Sequence, residues 1–259
     1  MKEIPKIIHY CWFGPKPIPE LELKCIESWN LFCPDYKIMF WNEQSFDIDN
    51  SNDYVKGAYS NKMYAFVSDY VRLYALNKFG GIYLDTDIEL LDNLDNFLVN
   101  NAFTAFENKT SLGAGIFGCV KGNEHIKKML NYYDSNLFVD TNGDFNLTTI
   151  CTVMMGVLEQ HKLVYKNSNQ NLKNMRIYER DFFYPKMLND GSFRLTNKNV
   201  SIHHFSASWL TDKQKKRGKN IIWRNFFRPL LRKSHFILKI MLGDNLTFKI
   251  EKKIRNWIR

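Results

Sequence analysis

Asp85 and Asp87 stand two residues apart at the end of a short apolar run, Gly80-Gly81-Ile82-Tyr83-Leu84-Asp85-Thr86-Asp87-Ile88-Glu89-Leu90. Ile82 and Leu84 alternate with Tyr83 as in a strand entering a core. The two glycines end the helical segment before it, so the strand is short. Ionised carboxylates beside a core are costly unless a positive charge meets them. A divalent cation shared with a substrate diphosphate fits that need, because hard cations take oxygen ligands and share them with phosphates. The plain alternative is a strand ending in a solvated acidic turn, and the triplet alone does not choose between the two.

Other residues offer compatible chemistry. Asp69 and Arg72 are three apart and share a helix face. They form either a surface ion pair of small value or a fork and carboxylate that grip hydroxyl and phosphate oxygens. His203 and His204 end a later apolar run. Only one of two adjacent strand residues can face a given site, and a neutral imidazole would complete an Asp/His set on Mn²⁺. Trp12 and Trp209 are core aromatics or platforms for a planar base or a sugar face. Glu107 and Asp144 are the carboxylates available as a general base.

These groups need elements to position them. Residues 4–13 read as a first buried strand, 20–31 as a helix and 36–41 as a second strand. Residues 58–79 read as one long helix, with Met63, Val67, Val71 and Tyr74 at three- and four-residue spacing. Short strands are predicted over 102–107 and 114–120, around a glycine-rich Leu112-Gly113-Ala114-Gly115. Helices follow over 123–132 and 148–160, and a late strand over 200–205. Alternating strands and helices predict an α/β fold with a mainly parallel sheet. Trp12, Asp87 and His204 would then gather at the carboxyl ends of strands.

Composition narrows the function classes. At 259 residues, 45% hydrophobic and 15% aromatic, the chain is long and apolar enough for a sizeable core and is not a disordered protein. No run is long and apolar enough to span a bilayer, and no stretch reads as an export signal. Cys11, Cys25, Cys33, Cys119 and Cys151 include no CxxC pair and read as reduced thiols of a cytoplasmic protein. Of the formal charge of +9, residues 213–259 contribute 15 basic against 2 acidic side chains, or +13, leaving −4 on the rest. The predicted division is a catalytic body over 1–212 and a basic, amphipathic, helical tail over 213–259. Aromatic and aliphatic residues interleave with the tail's basic ones, which suits an anionic membrane surface. No zinc or helix-turn-helix signature points to nucleic acid.

Together, Ser68-Asp69-x-x-Arg72 and the Gly80–Asp87 segment resemble the DxD sugar-binding region of glycosyltransferase family 32. They are also similar to the catalytic domain of the large clostridial glucosylating toxins. Ile4-Pro5-Lys6-Ile7-Ile8-His9-Tyr10-Cys11-Trp12-Phe13-Gly14 resembles the family's opening nucleotide-binding strand, and His203-His204-Phe205-Ser206-Ala207-Ser208-Trp209 its closing segment. The resemblance covers roughly residues 1–212. It implies a GT-A type, Rossmann-like nucleotide-sugar fold using a UDP-sugar with Mn²⁺ or Mg²⁺. By match, Trp12 stacks on uracil and Ser68 lies beside the nucleotide. Asp69 and Arg72 hold donor-sugar hydroxyls with Tyr83 close by. Asp85 faces the ribose and sugar side and touches the metal mainly through water, and Asp87 binds the metal directly. His204 is the preferred third ligand, because His-Phe occurs there in related transferases, and His203 is the fallback. Trp209 approaches the leaving diphosphate. In the toxins the closing segment offers an acidic residue and a serine, so the third ligand is where this chain departs.

The resulting expectation is a retaining transferase moving a hexose or N-acetylhexosamine to a saccharide or lipid-diphosphate-linked saccharide, in bacterial surface polysaccharide synthesis. The enzyme would be cytoplasmic and peripheral on the inner membrane face. The alternative is a haloacid-dehalogenase-type phosphohydrolase using the DxD strand, with the first Asp as nucleophile.

Overall fold

The structure, a computed structural model, describes residues 3–188 and 190–207. A first unit runs from Met1 to Ser206, and the second, Ala207–Arg259, lies almost wholly outside the described residues. Trp209 and the basic tail over 213–259 are therefore outside it.

The chain forms β1 (Ile7–Cys11), α1 (Glu20–Phe32), β2 (Lys37–Trp41), α2 (Asp53–Ser60), α3 (Tyr64–Phe79), β3 (Gly81–Leu84) and β4 (Ile88–Leu90). It continues through β5 (Ala102–Phe106), β6 (Leu112–Cys119), α4 (Glu124–Asp134), α5 (Ile150–Glu159), β7 (Gln170–Leu172) and β8 (Met175–Tyr178). The short strands β9 (Lys186–Met187), β10 (Phe193–Arg194) and β11 (Ser201–His203) close it. The main sheet has seven strands in the order β2-β1-β3-β6-β5-β8-β7. β2, β1, β3, β5 and β8 share one direction, while β6 and β7 run against them. The α/β class and mostly parallel sheet are as the alternating pattern predicts.

Alternation along the strands separates two apolar layers. Tyr83 faces one with Val67, Val71, Tyr54, Met129 and Met154, drawn from α2 to α5. Ile82 and Leu84 face the other with Ile8, Trp29 and Phe103. Buried helix residues Val67, Val71, Leu73, Ala75 and Leu76 pin α3 against the sheet, and Asp69 and Arg72 are buried with them.

Two expectations change. The single helix over 58–79 is two helices, because Asn61 caps α2, its Nδ2 donating to the Gly57 carbonyl. Lys62 then turns into the left-handed region at φ 57°. Helical spacing persists across that break, so periodicity alone does not reveal it. The late strand does not join the main sheet. β11 pairs antiparallel with β4 in a separate two-stranded ribbon, His203 opposite Ile88.

At the α3–β3 junction both glycines are needed. Gly80 has φ 71° and Gly81 φ 105°, and an added Cβ would lie 2.7 Å from the Lys121 amide nitrogen or 2.6 Å from the Ile7 oxygen. The close approach lets β3 begin directly after α3, so Arg72 and Asp85 meet across one turn. All five cysteines are free thiols. Among the described residues no helix is long and apolar enough to cross a membrane.

Beneath this junction, His9 Nε2 donates to the Gly80 oxygen at 2.8 Å and Nδ1 accepts from the Trp41 indole at 3.2 Å. Both ring nitrogens are used by the neutral form. Burial lowers the His9 pKa from 6.5 to about 4, the Gly80 bond opposing. The unfolded chain takes up this proton near pH 6.5 and the fold resists it until about pH 4. Stability from neutral His9 is complete above pH 6.5 and is lost as pH falls toward 4, by about 3 kcal/mol. Urea denaturation at pH 7 and pH 4.5 should show this loss in the wild type and a smaller one in His9→Gln. Equal losses would exclude His9 as the cause.

Candidate active site

Arg72 is the centre of the first half of the site. Its side chain is 7% exposed, and Nη2 lies 3.1 Å from Asp69 Oδ1 while Nη1 lies 3.2 Å from Asp85 Oδ1. Nη1 also donates to the Ala114 carbonyl at 2.8 Å, Nε to the Ser68 carbonyl at 3.3 Å, and the guanidinium lies 4.3 Å from the Tyr83 ring centre. Burial works against the Arg72 charge, but Asp85, Tyr83 and Asp69 raise its pKa well above the arginine value. Burial pushes the Asp69 carboxyl up to about 6 in spite of Arg72. Asp69 Oδ2 accepts the Ile150 amide at 3.3 Å, at the first turn of α5. The surface ion-pair reading of Asp69 and Arg72 is thus excluded: both are core residues.

The DxD turn forms the second half. The Asp85 amide donates to the Gly115 carbonyl at 2.7 Å, and Asp85 Oδ1 accepts from the Tyr83 hydroxyl at 3.1 Å. Asp85 Oδ2 faces Gly115, where an added Cβ would sit 3.0 Å from it and 3.4 Å from His203 Cε1. Asp87 is buried, with Oδ1 3.1 Å from His203 Nε2 and Oδ2 accepting the Ser206 amide at 2.8 Å. Burial raises the Asp87 pKa, but the His203 bond and charge and the Ser206 amide bring it below the usual carboxylate value. Burial likewise opposes the charge on His203, and pairing with Asp87 overrides it and raises the His203 pKa.

The two histidines exchange the roles expected of them. His203 joins Asp85 and Asp87, whereas His204 Nε2 lies 2.7 Å from Glu89 Oε2. Adjacent residues point to opposite faces at the end of β11. The His204 backbone amide does meet the Asp87 carbonyl, at 3.0 Å. Of the two histidines weighed as third ligand, the fallback, His203, is the one that stands beside both aspartates.

The remaining residues fall around this centre or outside it. Trp12 follows β1, which pairs with β3 through His9 and Tyr83, and its indole donates to the Lys16 carbonyl at 2.7 Å. Its indole N–H is thus used within its own loop. Ser68 is half-buried, its hydroxyl donating to the Tyr64 carbonyl at 3.1 Å. Glu107, at the end of β5, feels the charges of His203, Asp85, Arg180 and Asp87, and burial raises its carboxyl pKa. Asp144 lies in the 140–144 turn, where its amide donates to Asp140 Oδ1. Of the two carboxylates considered as a base, Glu107 is the one whose surroundings are the site. Sequence reading missed Tyr184, whose hydroxyl accepts the Ile116 amide at 3.1 Å and which an added Cβ at Gly113 would strike at 2.5 Å. The Gly113-Ala114-Gly115 pattern was the available signal.

One oxygen each from Asp85 and Asp87 and a nitrogen of His203 lie within 4.8 Å of one another. His203 Nδ1 is buried without a hydrogen-bond partner, and Gly115 leaves the space beside Asp85 Oδ2 clear of a side chain. Two carboxylates and an imidazole are a donor set suited to Mn²⁺ or Mg²⁺. The residues present fit a divalent cation.

The chain thus joins a mixed α/β fold to an acidic turn at a strand end, backed by a buried Arg–Asp pair. Residues 19–104 match the family model described as a glycosyltransferase sugar-binding region containing a DXD motif, so this segment carries a DXD-type glycosyltransferase region. A 130-residue stretch is 29% identical to inositol phosphoceramide mannosyltransferase 3 of Schizosaccharomyces pombe, covering 49% of this chain and 36% of that protein. The chain thus spans little more than a third of that relative's length. An uncharacterized glycosyltransferase of Acanthamoeba polyphaga mimivirus is 26% identical over 214 residues, covering 80% of this chain and 84% of its own. Among solved structures, the PaToxG glycosyltransferase is similar with a TM-score of 0.49 at 21% identity, over 61% of this chain and 69% of that one.

Removing the guanidinium should leave the buried Asp69 and the part-buried Asp85 without their cation, which costs about 3–5 kcal/mol. Arg72→Met is expected to lower the midpoint of chemical denaturation accordingly. A variant as stable as the wild type would show that Asp69 and Asp85 do not depend on Arg72.

Proposed function

We propose that this chain is a metal-dependent, retaining glycosyltransferase that moves a hexose or N-acetylhexosamine from a UDP-sugar to a saccharide acceptor carried on a membrane lipid. The observation that carries the reading is the convergence of Asp85, Asp87 and His203 beside the buried Asp69–Arg72 pair. Asp85, Asp87 and His203 would hold Mn²⁺ or Mg²⁺, which when bound stabilises negative charge on a departing diphosphate. Asp69 and Arg72 orient donor hydroxyls from positions fixed by the Ile150 amide and the Ala114 carbonyl. Trp12 offers its ring to the uracil, and Trp209, outside the described residues, would add an indole donor near the diphosphate.

Retention follows from the family resemblance: attack on the face the diphosphate leaves requires no strong protein base. A phosphohydrolase would need Asp85 as a free nucleophile. Here Asp85 Oδ1 is paired with Arg72 and accepts from Tyr83, and only Oδ2 is open.

The lipid-linked acceptor is supported by the fission-yeast relative, an inositol phosphoceramide mannosyltransferase. That name also brings mannose into the donor question. A lipid-diphosphate saccharide at the cytoplasmic face of a bacterial inner membrane, as in surface polysaccharide assembly, is the acceptor we infer. Residues 213–259, with a net charge of +13, would form the membrane-associating segment beside a catalytic domain over 1–212.

A thermal-shift panel of UDP-glucose, UDP-galactose, UDP-N-acetylglucosamine and GDP-mannose, with and without Mn²⁺, tests donor and metal together. At least one UDP-sugar should raise the Tm only with metal, and Asp87→Asn should lose that shift while its own metal-free Tm holds. Proton NMR of the first-formed glycoside should show retained configuration. Absence of any metal-dependent shift would remove the transferase reading. Separately, the full chain should sediment with anionic liposomes and a chain ending at residue 212 should not. Equal sedimentation of both would exclude the tail as the attachment.

A further inference from the structure

Glu22 is a buried carboxylate that the chemistry above does not use. It is 2% exposed and shares the inward face of α1 with Cys25 and Trp29. A buried charge normally has a cation or several donors, because desolvation costs several kcal/mol. No Lys or Arg pairs with Glu22 among the described residues. Its partner is a hydroxyl: Ser206 Oγ donates to Glu22 Oε1 at 2.8 Å. The backbone amide of the same serine donates to Asp87 Oδ2 at 2.8 Å. One residue thus ties the first helix to the DxD turn.

The turn that brings Ser206 there is strained. Phe205 sits at φ 49°, a left-handed conformation that costs a bulky residue of order 1–3 kcal/mol. Without this reversal the chain would leave β11 past Asp87; with it, His203 Nε2 and the Ser206 amide reach the two oxygens of one carboxylate. The surroundings hold the reversal in place. The His204 amide meets the Asp87 carbonyl, and the Phe205 ring lies 4.0 Å from the His203 ring centre. The Ser206–Glu22 bond ties the turn to α1. On the same helix, Trp29 donates to the Ile88 carbonyl at 2.7 Å and Ser28 Oγ accepts the Leu90 amide at 2.9 Å. α1 therefore braces β4 through one carbonyl and one amide, and Glu22 continues that brace into the closing turn.

We propose that Glu22 is a positioning residue for the cation site: through the Ser206 hydroxyl it locks the strained turn whose amide orients Asp87. The inference rests on the metal-dependent reading above. Partners that orient a ligating carboxylate change metal affinity by about 10–100-fold.

The test is Mn²⁺ titration of the full-length chain by calorimetry, without nucleotide, alongside metal-free Tm. Glu22→Ala and Ser206→Ala should each weaken Mn²⁺ binding about 10-fold. The double variant should be no weaker than either single one, because both remove the same link. Glu22→Gln keeps an acceptor oxygen and should restore binding to within about 3-fold of wild type. Ser206 is only partly buried, so Ser206→Ala is expected to fold even if Glu22→Ala does not. Unchanged Mn²⁺ affinity in Ser206→Ala, or additive losses in the double variant, would overturn the proposal. A wild type that binds neither Mn²⁺ nor Mg²⁺ would instead fail the metal-dependent reading itself.

Discussion

The pairing of one buried guanidinium with two carboxylates is the constraint on which this site depends. Asp69 and Asp85 come from different elements, and Arg72 reaches both at 3.1–3.2 Å while nearly sealed from water. Two acids that close together in a core would repel, and desolvation would protonate them. Arg72 lets a helix face and a strand end be acidic in the same place. The Ala114 carbonyl and the Tyr83 ring then take up the rest of the guanidinium. The Gly80–Gly81 junction is a consequence: any side chain there would push β3 off β1 and break the Arg72–Asp85 approach.

The two aspartates of the motif are held by unlike means. Asp85 is tied to its own neighbourhood in sequence, through Tyr83, Arg72 and the Gly115 carbonyl. Asp87 is tied to residues more than a hundred positions later, His203 and Ser206. Local contacts form at little loop-closure cost and distant ones at more. The first aspartate is therefore positioned by secondary structure, and the second only once the β4–β11 ribbon has closed.

That difference explains what was legible in the residues alone. Asp69, Arg72, Asp85 and Asp87 could be read as one group because they lie on one helix and the strand that directly follows it, and helix and strand periods fix their faces. The α/β class was equally readable, since alternation along β1, β3 and β6 shows which layer each residue enters. The choice between His203 and His204 was not readable. It turns on which face of a three-residue strand meets β4, a matter of register with a distant partner. The helix break at Asn61–Lys62 was hidden for a different reason: apolar spacing continues through it, and the signal is one asparagine cap. Glu22 was invisible because an acidic residue in a first helical turn has an ordinary explanation in the helix dipole. Only its burial against Ser206 removes that explanation.

A site whose two carboxylates have separate supports can be assembled in stages. The Arg72 half is complete without anything after α5, since its farthest contact is the Ile150 amide. The Asp87 half is completed by the last turn of the first unit. On the proposed reading, a cation between them would gain most when both are in place, so its affinity would report whether the closing turn is docked. Metal binding and the docking of residues 203–206 would then be linked equilibria: whatever stabilises the turn would strengthen the cation site, and the cation would in return stabilise the turn.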